Sequence, residues 1–123
     1  MPFIHMVLVL SNLALVRIKV KEAVKCATHL LTAESEEEAW VKLMQNNDIN
    51  FALLDDNMPE NDGMKLLSKI REKGLEIPVV MFGDKVDSKR VIHCFELGAD
   101  DYVEYSISAE LLRAKIHVIM RRS

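Results

Sequence analysis

Short apolar runs alternate with amphipathic stretches along this chain, and that alternation limits the folds it can adopt. The first run, Met6–Leu10, is almost continuously apolar, as in strands that are covered on both faces of a sheet. The predicted strands are Met6–Leu10, His29–Thr32, Phe51–Leu54, Ile77–Phe82 and Tyr102–Val103. The predicted helices are Leu13–Lys25, a second helix that starts after the N-cap Ser35 and runs through Met44 to the Asn46-Asn47 stop, Met64–Lys73, Ser88–Leu97 and Ser108–Arg122. Five strands that alternate with five helices predict an α/β fold, a parallel sheet with helices on both faces and right-handed crossovers.

The composition is that of one globular domain spanning residues 1–123. Half of the residues are hydrophobic and 28% are charged, so the chain can bury a core without disulfides or a structural metal. The formal net charge of −3 indicates neither a nucleic-acid partner nor an anionic membrane. The N-terminal apolar run is too short to span a bilayer and is unlike a signal peptide, so we expect a cytoplasmic protein. Cys26 and Cys94 form no metal-binding motif and are expected to be reduced, although a disulfide stays open.

Polar residues follow the predicted strands at the points where the strands end. These pairs are Ser11-Asn12, Asp55-Asp56, Gly83-Asp84 and Glu104-Tyr105. The carboxyl ends of parallel strands meet at one edge of a sheet, where open α/β sheets bind their ligands. The pattern therefore predicts where a site lies, while the chemistry of that site has to come from the residues themselves.

The segment 51–63 ends a strand at Asp55, continues through a Met-Pro turn and starts a helix with Asp62-Gly63. It resembles the phosphoacceptor segment of response-regulator receiver domains, and the segments 77–80 and 98–103 match that family in register. The resemblance covers essentially the whole chain and implies a flavodoxin-like sheet with strand order 2-1-3-4-5. It also implies that Asp55 is the position that accepts a phosphoryl group, and the alternative is a carboxylate that only caps a loop.

Receivers hold Mg²⁺ with an acidic pair after the first strand, the phosphoacceptor and a nearby backbone carbonyl. Here Ser11 and Asn12 replace the acidic pair, so two negative charges are missing. Asp55 and the carbonyl of Asn57 remain, and Asp56 adds charge only if it turns inward. Mg²⁺ favours carboxylates and bound water over neutral protein oxygens. We therefore expect no resident cofactor, and at most weak Mg²⁺ binding at Asp55 and Asn57.

Two further positions depart from the family pattern. Gly83 stands where receivers place a Thr or Ser hydroxyl that bonds the phosphoryl group, and Asp84 follows it. Asp84 either faces the pocket, where it would repel a phosphoryl group, or faces solvent or pairs with Lys85. Tyr105 and Ser106 replace a Lys-Pro pair, which removes the ammonium that binds phosphate and disfavours a cis peptide bond.

Tyr102 matches the aromatic residue that changes rotamer when receivers are activated. Because position 83 has no hydroxyl, we expect packing to hold Tyr102 in place, and a purely structural role fits it equally well.

The last helix and the strand before it resemble the dimerisation face of receivers from winged-helix transcription factors. Asp100, Asp101 and Lys115 match the ion-pair pattern of that face, whereas Leu111 stands at a commonly charged position. We expect a homodimer through this face, although basic residues near a helix C-terminus also complement the helix dipole. The resemblance implies that the chain can be the N-terminal part of a longer regulator.

These observations lead to a principal hypothesis and two alternatives. The principal hypothesis is an atypical receiver that is not an enzyme and acts as a phosphorylation-independent interaction module, without direct contact to membrane or nucleic acid. The first alternative is a working phosphoacceptor that takes a phosphoryl group on Asp55 from a histidine kinase with altered geometry. The second is a relic that binds a small ligand or an effector protein in an emptied pocket.

Overall fold

The computed structural model of the protein describes residues 6–25, 29–84 and 87–122. The strands are β1 Met6–Leu10, β2 His29–Ala33, β3 Ile49–Asp55, β4 Val79–Gly83 and β5 Asp101–Glu104. The helices are α1 Ala14–Ala23, α2 Glu36–Gln45, α3 Asp62–Glu72, α4 Ser88–Glu96 and α5 Ala109–Arg121, and a 3₁₀ turn, Pro59–Asn61, precedes α3.

The five strands form one parallel sheet in the order β2-β1-β3-β4-β5. This confirms the predicted α/β architecture, its strand order and the alternation of strands with helices. Within the described ranges, no helix combines the length and the apolar character that a bilayer crossing requires.

Alternate residues of each central strand enter opposite halves of the core, because successive side chains of a strand point to opposite faces. Leu8 and Leu10 pack with α2, α3 and α4, whereas Val7 and Val9 pack with α1 and α5. Both faces of the sheet are therefore covered, which explains the continuous apolar run at positions 6–10. The thiol of Cys94 is buried in the first half and unpaired, and Cys26 lies outside the described residues.

The first residues of β4 and α3 differ from the predicted ones, and local contacts or backbone angles accompany both differences. β4 begins at Val79 instead of Ile77, because Arg71 donates to the Ile77 carbonyl at 2.8 Å and takes it out of the sheet. α3 begins at Asp62 instead of Met64, after Glu60 and Asn61, which have φ angles of 58° and 60°.

Hydrogen-bonded caps start three of the helices. Ser35 accepts the Glu38 N–H at 3.1 Å, and the Glu38 carboxylate accepts the Glu34 N–H at 3.0 Å, so the two side chains do not form a reciprocal capping box. Asp87 and Ser108 cap α4 and α5 in the same way, with bonds of 3.0 Å to Lys89 and Leu111.

Gly63 lets the start of α3 pack directly against the end of β3. A Cβ atom at this position would lie 2.2 Å from the Asp55 carbonyl oxygen, which is backbone and has little room to move. The glycine is therefore a close-approach residue that fixes how the α3 segment sits beside Asp55.

Gly63→Ala is expected to destabilise the protein by about 1–3 kcal/mol, the usual range for overpacking. Helix propensity alone predicts the opposite sign, a gain of up to about 1 kcal/mol. Urea unfolding followed by circular dichroism distinguishes the two, with Lys65→Ala on the exposed face of α3 as the control. An unfolding midpoint above that of the wild type would show that the close approach has no steric consequence.

Candidate functional site

Asp55 ends β3 and lies beside the end of β1 in the middle of the sheet. Leu10 of β1 pairs with Leu54 of β3, so the residues that follow, Ser11 and Asp55, come together at the carboxyl edge. Ser11 is fully buried and Asp55 is 2% exposed. The carboxylate at the phosphoacceptor position is therefore inside the protein.

Both carboxylate oxygens of Asp55 accept hydrogen bonds from the chain itself. The Ser11 hydroxyl donates to Oδ2 at 2.8 Å, and the Asn57 backbone N–H donates to Oδ1 at 3.0 Å. The Tyr105 phenol also donates to Oδ1. All three donors are neutral, and together they replace the water that burial has removed from this carboxylate.

Tyr105 is fixed by its backbone as well as by its phenol. Its N–H donates to the Gly83 carbonyl at 3.0 Å, and its own carbonyl accepts from the Lys19 ammonium. Burial, together with the hydrogen bond to Asp55, raises the pKa of the Tyr105 phenol well above its ordinary value. The phenol therefore remains a neutral donor across the physiological pH range.

Ser11 organises the loop that leads into α1. Its hydroxyl oxygen accepts the Leu13 N–H at 3.0 Å, and its carbonyl accepts from Arg17 at 2.9 Å. The neighbouring Asn12 is exposed. The two residues that replace the family's acidic pair thus play different parts, and only Ser11 bonds to Asp55.

The residues at this edge do not fit the Mg²⁺ ion of the family. Ser11 and Asn12 bring no negative charge, and the donors described above already occupy both oxygens of Asp55. Among the described residues, no three His, Cys, Asp or Glu side chains are grouped so that they could hold a metal. Mg²⁺ at Asp55 and the Asn57 carbonyl would need this hydrogen bonding to be rebuilt, so we still expect weak binding at most.

Asn57 and Asp84 form the exposed rim of the site. The Asn57 side-chain amide donates to the Asp84 carboxylate at 3.2 Å. Asp84 is exposed, which corresponds to the solvent-facing alternative, although its partner is Asn57. Lys85, the other partner considered for Asp84, lies outside the described residues.

A second cluster lies next to the first and is centred on Asp56. This residue is also 2% exposed, and its Oδ2 accepts from the Arg90 guanidinium Nε at 2.8 Å and from the Tyr102 phenol at 2.8 Å. The hydrogen bond that Arg90 donates to Asp56 raises the pKa of the guanidinium. Burial, and secondly the same carboxylate, raise the pKa of Tyr102. Asp56 is therefore a buried anion with one cationic and one neutral donor.

Gly83 provides the space that Tyr102 occupies. A Cβ atom at position 83 would lie 1.9 Å from the Tyr102 hydroxyl oxygen. Tyr102 is 4% exposed and points inward, so packing does contribute to its position. The hydrogen bond to Asp56 was missed by the sequence reasoning, which considered only a partner at position 83.

Arg90 is the main residue that sequence reasoning overlooked. A signal for it exists, because a carboxylate at a buried strand end needs a counter-charge. The helix that starts at this edge, α4, carries Arg90 in its first turn. Asp56 itself was considered only as extra charge for a metal, whereas its carboxylate is committed to Arg90 and Tyr102.

The charged residues of the predicted dimer face form ion pairs and hydrogen bonds with residues of the same chain. Lys115 lies 3.2 Å from the Asp101 carboxylate, and Asp100 accepts from Arg71 at 3.2 Å and from the Val79 N–H at 2.8 Å. Leu111 is exposed, as expected for a contact residue.

Two apolar side chains that sequence reasoning did not single out extend this face. Ile92 and Phe95 of α4 are 56% and 46% exposed, and Leu111 of α5 is 52% exposed. We refer to Ile92, Phe95 and Leu111 as the α4–α5 apolar residues.

Comparisons with known proteins agree with this geometry. The family model for the response regulator receiver domain matches residues 7–117. Chemotaxis protein CheY1 of Helicobacter pylori is 32% identical over 93 residues, which are 74% of this chain and 75% of that protein. Transcriptional regulatory protein RprY of Bacteroides fragilis is 33% identical over 85 residues, which are 69% of this chain and 36% of that protein. A crystal structure of a two-component response regulator from Clostridium difficile has a TM-score of 0.85 at 25% identity, covering 96% of this chain and 97% of that one.

The fold and the edge at which Asp55 lies define a signalling domain built on a doubly wound sheet. The chain belongs to the response regulator receiver domain family. This confirms the resemblance at the level of the family, and with it a role as a receiver in two-component signal transduction.

The two tyrosines of the chain are expected to ionise above pH 10.0, the ordinary value, when the protein is folded. Since the folded state keeps phenolic protons that the unfolded state loses, the contribution of these two phenols to stability should be constant up to about pH 10 and fall beyond it. Absorbance titration of the phenolate band would test this, with Tyr102→Phe and Tyr105→Phe assigning each midpoint. A midpoint at the ordinary value in either variant would contradict the described placement of the remaining phenol.

Proposed function

We propose that this receiver domain is a protein-interaction module whose activity does not depend on phosphorylation of Asp55. The observation that carries the proposal is that Asp55 is hydrogen-bonded by neutral donors of the chain itself. Ser11, Asn57 and Tyr105 donate to its two carboxylate oxygens, one of which would act as the nucleophile in phosphoryl transfer, and none of the three brings positive charge.

The neighbouring charges also disfavour a phosphoryl group. Phosphoryl transfer depends on positioning and on neutralising the charge of the transferred group. Positions 11, 12, 83 and 105 offer no formal positive charge and no carboxylate for a metal. Each hydrogen bond to a charged group contributes about 1.5–3 kcal/mol, so the loss of several removes most of the stabilisation that an acyl phosphate needs.

One contact provides a test of the alternative function, in which Asp55 accepts a phosphoryl group with altered geometry. The Lys19 ammonium donates to the Tyr105 carbonyl, so a cation from α1 is held at the loop that contacts Asp55. If the Tyr105 phenol moved away, Lys19 would be the candidate to supply positive charge. This alternative requires both the rearrangement and a histidine kinase or another phosphodonor.

Incubation with acetyl phosphate and Mg²⁺ is expected to leave the intact mass of the protein unchanged. Asp55→Asn keeps the shape of the side chain and removes the acceptor, so it should change self-association or partner binding by no more than about twofold. Intact-mass spectrometry and sedimentation would measure the two effects, with a receiver known to accept phosphate treated in parallel.

Stoichiometric addition of one phosphoryl group to the wild type, but not to Asp55→Asn, would refute the proposal. Loss of that addition in Lys19→Gln would then favour the altered phosphoacceptor. Lys19→Arg, which keeps the positive charge, is the matched control.

The surface that we propose for interaction is the face formed by α4, β5 and α5, and the occupant that we propose is a second copy of this chain. Leu111 lies one helical turn before Lys115, whose ammonium pairs with Asp101, so exposed apolar area on α5 lies next to both signs of charge. A face with both signs can complement itself in a two-fold dimer. An effector domain or a histidine kinase are the other partners that this surface could take.

Phe95→Glu is expected to weaken self-association by about tenfold or more, since it would place an unpaired carboxylate in the centre of the interface. Ile18→Glu on α1 is the matched control, because Ile18 is also a well exposed apolar residue and lies on another face. Sedimentation at micromolar to millimolar concentration would compare them. A wild type that stays monomeric, or equal weakening by both variants, would exclude this dimer.

A further inference from the structure

The cluster around Asp56 joins three separate parts of the chain. The Arg90 guanidinium of α4 bonds to the Asp56 carboxylate at 2.8 Å, to the Asp56 carbonyl at 3.0 Å and to the Asn61 side chain at 2.6 Å. The Tyr102 phenol of β5 bonds to the same carboxylate oxygen as Arg90 Nε. The Asp56 side chain therefore connects the loop after β3 to both α4 and β5.

Because Asp56 is buried, breaking these hydrogen bonds would be energetically costly. Its side chain is 1% exposed, and its Oδ1 atom has no hydrogen-bond partner in the part of the chain that the structure describes. If Arg90 or Tyr102 moved away, the carboxylate would lose donors that water cannot readily replace. The anion therefore favours the arrangement in which α4 and Tyr102 both face it.

Gly83 and Asp56 act together on Tyr102. The absence of a side chain at position 83 opens the space for the phenol, because a Cβ atom there would be 1.9 Å from its oxygen. The Asp56 carboxylate supplies the acceptor at the end of that space. Neither residue alone accounts for the inward position of a phenol that is almost fully buried.

We propose that Asp56, Arg90 and Tyr102 form a built-in latch that keeps α4 and β5 in one arrangement. In this latch the buried Asp56 carboxylate, paired with the Arg90 guanidinium, positions the interaction surface, so no added phosphoryl group is needed. The inference rests on the proposed function and deepens it, since it names the residues that hold the surface. Arg90 and Tyr102 are positioning residues for Ile92 and Phe95, which follow Arg90 on α4.

Arg90→Gln tests the latch, because it removes the cation and leaves Asp56 buried. Amide hydrogen exchange followed by mass spectrometry should show α4 exchanging about tenfold faster or more, since the loss of even one of the three hydrogen bonds of the guanidinium is expected to have an effect of this size. Exchange in α1 should be unchanged. Arg113→Gln is the matched control, since Arg113 bonds only to the Glu22 and Ala23 carbonyls among the described contacts.

The double variant Asp56→Asn/Arg90→Gln distinguishes a positioning role from general damage to the fold. Asn keeps the shape of Asp56, and the double variant removes the unpaired anion that Arg90→Gln leaves behind, so α4 protection should return towards the wild-type level. Failure of this rescue, with the single variant still folded by circular dichroism, would count against the charge of Asp56 as the anchor.

The position of Tyr102 provides an independent measurement. Photo-CIDNP detects exposed tyrosines, and with only two tyrosines in the chain each signal can be assigned by a Tyr→Phe variant. Gly83→Ala should expose Tyr102 while leaving Tyr105 unchanged. If Gly83→Ala does not fold, Tyr102→Phe takes its place, and its loss of one hydroxyl should also speed exchange in α4.

Unchanged α4 exchange in Arg90→Gln, or a Tyr102 that stays buried in folded Gly83→Ala, would overturn the latch. Neither result bears on whether Asp55 accepts a phosphoryl group, which the mass measurement decides separately. The two proposals can therefore fail independently.

Discussion

Two consecutive buried carboxylates, Asp55 and Asp56, are the constraint on which the carboxyl edge of this domain depends. Each is 2% exposed, and a buried anion is stable only where the protein supplies the donors that water would otherwise provide. Asp55 receives three neutral donors, from β1, its own loop and the end of β5. Asp56 receives a guanidinium from α4 and a phenol from β5. Because the donor sets do not overlap, several elements must stay in place together.

The division of donors has an electrostatic consequence. Among the described residues, the one guanidinium that bonds to either carboxylate is that of Arg90 on Asp56, and the donors to Asp55 are all neutral. Further negative charge on Asp55 would therefore lie beside Asp56 and near the exposed Asp84, without a cation bonded to it. Receivers that work by phosphorylation need the opposite arrangement, in which a positively charged group lies next to the phosphoacceptor carboxylate. This contrast connects the hydrogen bonding of one side chain to the proposed loss of phosphorylation dependence.

The fold could be predicted because its signals are local. Apolar runs and caps such as Ser35 indicated the elements, and the family resemblance carried by segments 51–63 and 98–103 implied the strand order, which the structure confirms. The position of Asp55 at the strand edge also followed from sequence. The Asp56–Arg90 contact could not be read in this way, since it joins residues 34 positions apart through a long side chain with many rotamers. The start of β4 was misplaced for a similar reason, because a distant arginine takes the Ile77 carbonyl.

The departures from the family pattern make physical sense as a set. If the missing residues had only been lost, the edge would contain an emptied pocket, as one of the alternatives supposed. Instead, the Tyr105 phenol bonds to Asp55 where a lysine is absent, and the Tyr102 phenol occupies the space above Gly83 where a hydroxyl side chain is absent. Both phenols carry raised pKa values because they are buried beside carboxylates, so each remains a donor and not a competing anion. An edge filled in this manner favours one conformation, and a surface that always has the same shape suits a module that binds its partner without a switch.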